Sequence, residues 1–222
     1  MKVAVLWTGG KDSSLSCYKV LKDKFDVAFV VTFIWEQPSL AHPLSIIKLQ
    51  SEALQIPFLW ERIQPPYFEA YRKAILELKK DYGIEGVVTG DISYVDSFHG
   101  NWIDDVCKDT DVEVIKPLWE LDRFKIIEDL MSSGFKVIFT CAKEPWFNEK
   151  WIGRTIDARS FKELKELNKK TGMDICGEMG EYHTMTLDAP FYKKTIQVPK
   201  FKTEKINEAF LMDPIDLSLA SK

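Results

Sequence analysis

The chain has no C-x-x-C pair. Its four cysteines, Cys17, Cys107, Cys141 and Cys176, stand far apart. That spacing excludes a zinc ribbon or a thioredoxin-like redox motif. It leaves small thiols in a reducing compartment as the reading of the first three; Cys176, inside a motif, stays open. Histidine is scarce: His42, His99 and His183 are the only three, and they show no zinc-like spacing. No apolar run is long enough to cross a bilayer; the longest, Val27 to Trp35, is interrupted by Thr32. Met1 leads straight into a lysine and a strand-like run, so no signal peptide, no membrane and a cytoplasmic location are expected. An excess of positive charge is also missing. Against 30 Lys and Arg stand 34 Asp and Glu, for a net charge of −4. Stable nucleic-acid binding is therefore not expected, although a local basic patch stays open. Two nucleotide signatures are absent as well. Gly10–Lys11 is followed by Asp12 and position 5 is valine, so the Walker A loop fails, and no G-x-G-x-x-G occurs. There is no internal repeat and no low-complexity stretch.

What is present is a globular composition, 45% hydrophobic and 29% charged over 222 residues. Such a chain buries roughly 70% of its unfolded surface. Short apolar runs alternate with helical patterns. The strand candidates are Val3–Trp7, Val27–Trp35, Phe58–Ile63, Gly86–Ile92, Glu113–Leu118 and Lys136–Cys141. They are β-branched and nearly continuously apolar, as parallel strands buried on both faces are. Leu15, Tyr18 and Leu21 mark one helix face, and Leu44, Ile47 and Leu54 a second. Phe68, Tyr71, Ile75 and Leu78 mark a third, behind Pro65 and Pro66. The order predicts an α/β fold: a doubly wound, mostly parallel sheet with right-handed crossovers, and a smaller C-terminal α+β region. The expected division is residues 1–141 as the main α/β domain, 142–198 as a smaller second region and 199–222 as a peripheral helix or loose tail. Within the second region, Ser160 to Glu163 fits a capping box and Gly172 a helix C-terminus.

In open α/β sheets ligands bind beyond the carboxyl ends of the strands. Three conspicuous stretches lie there: Thr8–Ser14, Thr89–Gly90–Asp91, and the loop from Trp35 to Pro43. In the first, Gly9 and Gly10 let the backbone approach an anion, the helix N-terminus and Lys11 supply positive potential, and Ser13 and Ser14 offer hydroxyls. A tight turn alone would not need so many donors. Asp91 could cap a helix, but beside Gly90 it reads as a ligand or Mg²⁺ residue. Asp12 fits either a helix-dipole charge or a Mg²⁺ organiser. Glu178 and Glu181 are framed by Gly177 and Gly180, a shaped turn presenting carboxylates for an ammonium ion, a cationic substrate or base catalysis. A lone His183 is more often structural than catalytic.

TGGKDSS resembles the SGGKDS pyrophosphate loop of the N-type ATP pyrophosphatases, with Thr8 for the first serine. The resemblance implies a HUP-like fold (that of the adenine nucleotide alpha hydrolases), cleavage between the α- and β-phosphates of ATP, and adenine held near Val31–Thr32. EGVVTGDI, HGNWIDDVC from His99, PLW, GEMGEYHT and LDAPFY together resemble the diphthine–ammonia ligase family over about Met1 to Val198. Here Gly100 stands where that family often has arginine, Asp104 where it often has glutamate, and His183 where many members have glutamate. The resemblance implies an AMP-forming amide ligase using ATP and Mg²⁺, with ammonia and the diphthine side chain of elongation factor 2 as substrates. Lys11, Asp12, Asp91, Glu178 and Glu181 are the expected catalytic residues. Thr8, Gly9, Gly10, Lys11, Asp12, Ser13, Ser14, Val31, Thr32 and Gly90 are expected to bind ATP, with Asp12 and Asp91 on the metal. His99, Asp104, Gly177, Gly180, His183 and Thr184 are expected to face the acceptor. Two alternatives stay open: adenylation of a different small-molecule or tRNA acceptor, and a nucleotide sensor without turnover. A homodimer is compatible with the sequence.

Overall fold

A computed structural model describes residues 1–35, 40–94 and 102–222. In chain order its elements are β1 (Lys2–Leu6), α1 (Lys11–Lys22), β2 (Asp26–Ile34), α2 (Leu44–Leu54), β3 (Phe58–Arg62), α3 (Tyr67–Tyr82), β4 (Gly86–Val88), α4 (Trp102–Cys107), β5 (Glu113–Ile115), α5 (Arg123–Ser132), β6 (Lys136–Lys143), α6 (Ala158–Thr171), β7 (Tyr182–Asp188), β8 (Lys194–Ile206) and β9 (Ala209–Ser221). The chain forms two compact units. The first comprises Met1–Thr8, Asp12–Pro38 and Ile56–Glu120; the second comprises Gly9–Lys11, Ser39–Gln55 and Leu121–Lys222.

The first unit carries the expected parallel sheet, in the order β3-β2-β1-β4-β5. Its central strands read as continuous apolar runs because both faces are covered: Val3, Ala4, Val5, Val30 and Val31 are fully buried. The core joins Ala4, Phe29 and Val87 to Ile75 and Leu78 of α3 and Val106 of α4. Each such side chain contributes on the order of 1.5–3 kcal/mol by leaving water. α3 stops at Gly83, which takes the left-handed conformation (φ 66°) and donates its amide to Lys79 O at 2.8 Å. From β1 the chain builds outward through β2 to β3, then returns to place β4 and β5 on the other side. The reversal falls between β1 and β4, where α/β sheets open a ligand crevice.

The second unit carries a four-stranded antiparallel sheet in the order β7-β6-β9-β8. Three sequence expectations are corrected here. The run at Lys136–Cys141 does not join the parallel sheet; it is β6, paired antiparallel with β7 and β9. Both faces of β6 are covered, so it has the same continuous apolar signature as a parallel strand. The residues from 199 onward are not a helix or tail but most of the β8–β9 ribbon. The helix start is also shifted: Asp157 is the N-cap of α6 and Ser160 its reciprocal partner. Glu163 instead forms a bidentate pair with Arg154, at 2.8 and 2.9 Å.

Candidate functional site

In the first unit, β1 ends against β2. Trp7 N donates to Val31 O at 2.8 Å, and Thr32 Oγ1 donates to Trp7 O at 2.7 Å. The Val31 carbonyl and the Thr32 hydroxyl, expected beside adenine, are thus engaged in holding Trp7. One residue on, the Thr8 and Ser13 hydroxyls lie 3.2 Å apart. Ser14 is fully buried, and its hydroxyl meets no hydrogen-bond partner among the described residues. Gly90 approaches the start of α1 so closely that a Cβ there would lie 2.7 Å from Ser13 N and 2.8 Å from the Asp12 carbonyl carbon. No side chain fits, which is the physical reason for glycine in Thr-Gly-Asp. The same approach brings half-buried Asp91 into the neighbourhood of half-buried Asp12. Two carboxylate residues beside this glycine-rich turn fit Mg²⁺, which binds through one or two carboxylates plus substrate phosphates. Among the described residues no cluster of three or more His, Cys, Asp or Glu forms a cage of its own.

In the second unit, Gly9, Gly10 and Lys11 are tied to β7 and α2. Gly9 has φ 78°, which favours glycine. Its carbonyl accepts from Gln50 Nε2 at 2.9 Å and from Thr186 N at 2.9 Å. Gln50 Nε2 also reaches Thr186 O at 2.8 Å, so one fully buried amide joins loop and strand. The Gly10 carbonyl accepts from Thr186 Oγ1 at 3.4 Å. Lys11 N donates to Thr184 Oγ1 at 3.1 Å, and Lys11 Nζ to Cys176 O at 2.5 Å. The ammonium lies 5.2 Å from the centroid of the Tyr182 ring. The Lys11 side chain is 4% exposed.

The turn that presents Cys176 is itself braced. Tyr182 OH donates to Ile175 O at 2.7 Å, and Cys176 N donates to Asp174 Oδ1 at 2.7 Å. Arg123 Nε holds Asp174 Oδ2 at 3.0 Å. Glu181 is buried; its Oε1 accepts from Asp174 N at 2.8 Å, and its Oε2 meets no hydrogen-bond partner among the described residues. Glu178, three residues earlier, is only half-buried. Gly177 and Gly180 both take left-handed conformations, and a Cβ on Gly177 would strike the Tyr182 ring and carbonyl at 2.9 Å. His183 meets His42 edge-to-face at 5.1 Å between centroids. Burial, then the Lys11 charge, lowers the His42 pKa to about 4. Burial, then His42, Lys143 and Lys11, lowers that of His183 to about 3. Both imidazoles are neutral at neutral pH.

The structure therefore gathers Gly9, Gly10, Lys11 and Thr184 in one unit, and Thr8, Asp12, Ser13 and Gly90 in the other. Asp104 lies elsewhere on α4, accepting from Lys116 Nζ at 2.5 Å. His99 falls outside the described residues. Sequence reasoning missed Gln50 and Thr186, which hold the loop, and treated His42 only as a failed zinc ligand. A glutamine on the apolar face of α2 was the available signal for the first.

Residues 1–114 match the family model described as the diphthamide synthase N-terminal domain, and residues 122–212 the diphthamide synthase C-terminal domain. The chain belongs to the diphthamide synthase family. It is 28% identical to the diphthine–ammonia ligase of Mus musculus, over 89% of this chain and 83% of that protein. The Homo sapiens ligase is 25% identical with the same coverage. That of Schizosaccharomyces pombe is 27% identical over 88% of this chain and 36% of its own length. A solved structure of the U34-tRNA thiolase from Methanococcus maripaludis aligns at a TM-score of 0.41 and 12% identity, over 81% of this chain and 70% of that one. Family membership makes this chain an enzyme of the ligase class.

Proposed function

We propose that this diphthamide synthase relative is an ATP-dependent amide ligase that converts diphthine on elongation factor 2 to diphthamide in the cytoplasm, releasing AMP and pyrophosphate. The observation that carries the reading is the hydrogen bonding between the loop and the far motif: Lys11 N to Thr184 Oγ1, and Lys11 Nζ to Cys176 O. Lys11, in the middle of the glycine-rich turn, is thus bonded to the stretch that most resembles the family.

In the first step an acceptor carboxylate oxygen attacks the α-phosphorus and the α–β bridge breaks, giving an acyl-adenylate and pyrophosphate. The glycine-rich turn and Lys11 oppose the charge that builds on the leaving group. Asp12 and Asp91 would hold Mg²⁺, which neutralises phosphate charge when bound. In the second step ammonia attacks the acyl carbon, the carbon–oxygen bond to AMP breaks and a proton leaves the nitrogen. Glu178, half-buried beside the braced turn, is the residue assigned to take it. Glu181 serves the turn instead, through its bond to Asp174 N.

The test supplies the protein with ATP, ammonium and diphthine-bearing elongation factor 2, and identifies the nucleotide products. AMP and pyrophosphate that require both acceptor and ammonium are expected. ADP as the product, or AMP formation indifferent to the acceptor, overturns the reading.

A further inference from the structure

The first unit carries a cluster of aromatic rings that the adenylation chemistry does not use. Trp35 follows β2, Tyr67 and Tyr71 lie on the first two turns of α3, and Trp102 opens α4. Trp35 is 46% exposed and Trp102 39%. Single exposed tryptophans are ordinary, but rings in mutual contact at the carboxyl end of a parallel strand form a patch. The cluster is ordered from within. Trp35 stacks on Tyr67 at 4.6 Å between centroids and 28°, and Trp35 Nε1 donates to Tyr71 Oη at 3.1 Å. Phe33 packs on Tyr71 at 4.4 Å. Tyr71 stands nearly perpendicular to both indoles, at 79° to Trp35 and 82° to Trp102.

Two ligand chemistries use exposed aromatic faces, and the ring angles separate them. A planar base needs parallel faces about 7 Å apart, two van der Waals contacts of about 3.5 Å. Trp35 and Tyr67 are already in contact and leave no such slot, and Tyr71 is turned across both indoles. A quaternary ammonium needs several faces in different orientations, each within about 6 Å of the cation. It donates no hydrogen bond, so polar side chains cannot select it; ring faces and diffuse negative charge can. Exposed Asp105 lies three residues beyond Trp102 on α4, the spacing that puts two residues on one helix face. Arg72, the nearest cation in sequence, donates to Val106 O at 3.2 Å.

We propose that Trp35, Tyr71 and Trp102, with Tyr67 behind them, form the subsite for a quaternary ammonium group on the acceptor. The proposal rests on the ligase reading above, because diphthine carries a trimethylammonium cation beside the carboxylate to be amidated. The cage would then set specificity for a fully methylated substrate.

Choline titrated against tryptophan fluorescence tests the cage without any turnover. The control is 3,3-dimethylbutan-1-ol, which has the same shape and no charge. Saturable quenching by choline alone, lost in Trp35→Leu and Trp102→Leu and restored in part by Trp102→Phe, is the expected result. Equal response to the neutral isostere would reduce the cluster to a greasy patch and overturn the proposal. In the ligase assay each leucine variant should raise the KM for the diphthine protein about tenfold and leave that for ATP unchanged. A raised KM for ATP with an unchanged acceptor KM would make the cluster an adenine site and equally overturn it. Loss of AMP formation in the wild-type protein would sink the ligase reading, while the choline titration would still report on the cage.

Discussion

Acid should destabilise this enzyme well above the range in which ordinary carboxylates titrate, and His42 and His183 are the reason. In the unfolded chain both have pKa values near 6.5; in the fold they are lowered to about 4 and about 3. The neutral form is the one the fold accepts, because burial is the largest cause in each case and Lys11 opposes a charge on either ring. Lys143 adds to this at His183. Between pH 6.5 and about 4 the unfolded state therefore binds more protons than the folded state. The resulting stabilisation is fully present above pH 6.5 and is lost as pH falls through the window. From pH 6.5 to 5 each imidazole contributes at most roughly 2 kcal/mol, at 1.36 kcal/mol per unit of pH. The rings face one another, so the two losses are not independent. Urea denaturation at pH 7, 6 and 5 measures the effect in wild-type protein, His42→Gln, His183→Gln and the double variant. Wild-type stability should drop steeply below pH 6.5, each single variant should flatten that drop, and the double variant should nearly abolish it. A double variant with the wild-type slope would refute the argument, whatever its absolute stability.

Three further changes probe the loop. Lys11→Ala should abolish AMP formation while far-UV circular dichroism and the cooperative melt survive; wild-type-like turnover in that variant would remove the loop from the mechanism. Gly90→Ala places a methyl group 2.7 Å from Ser13 N, and backbone there has no easy retreat. It should raise the KM for ATP at least tenfold and cost about 1–3 kcal/mol of stability; an unchanged KM would deny the close approach. Gln50→Ala removes the bonds to Gly9 O and Thr186 O and leaves a small cavity. A loss of about 2–4 kcal/mol in urea denaturation is expected, and a loss below about 0.5 kcal/mol would contradict the bridging role.

The parallel sheet could be read from the chain because its strands are short apolar runs punctuated by helices, and Gly83 and Gly172 end helices where their freedom is needed. The second sheet was less legible. A strand covered on both faces looks the same whether its neighbours run parallel or antiparallel, which is how β6 was misassigned. β8 was harder still. Much of it is exposed, so it lacks the apolar run that signals a strand, and its partner joins it through Asn207, at φ 52°, and Glu208 rather than an Asn-Gly turn. Asp157 and Ser160 are both cap-type residues three apart, and it is the reciprocal hydrogen bonds of the fold that make Asp157 the N-cap of α6. At the site, the loop and the GEMGEYHT stretch were both visible as motifs. That one holds the other was not, because hydrogen bonds across 173 residues leave no local trace.

That bond changes what the far motif is for. Read from the sequence, Gly177 to Thr184 belongs to the acceptor. In the fold its inward side belongs to the loop: Thr184 receives the Lys11 amide, Cys176 receives the Lys11 ammonium, and Tyr182 and Glu181 brace the turn that offers Cys176. The two glutamates, three apart and framed alike, divide accordingly. Glu181 is spent on shape; Glu178 is the residue proposed for the proton transfer. Substitutions along this stretch should therefore sort by direction. Those facing inward, at Thr184 or Glu181, act through the lysine and should lower acyl-adenylate formation from ATP and the acceptor even when no ammonium is present. Those at Glu178 leave adenylation intact and stop the reaction at the acyl-adenylate. Trapping that intermediate with hydroxylamine would separate the two classes. A Glu178→Gln protein that fails to form the hydroxamate would move this residue from the second step to the first.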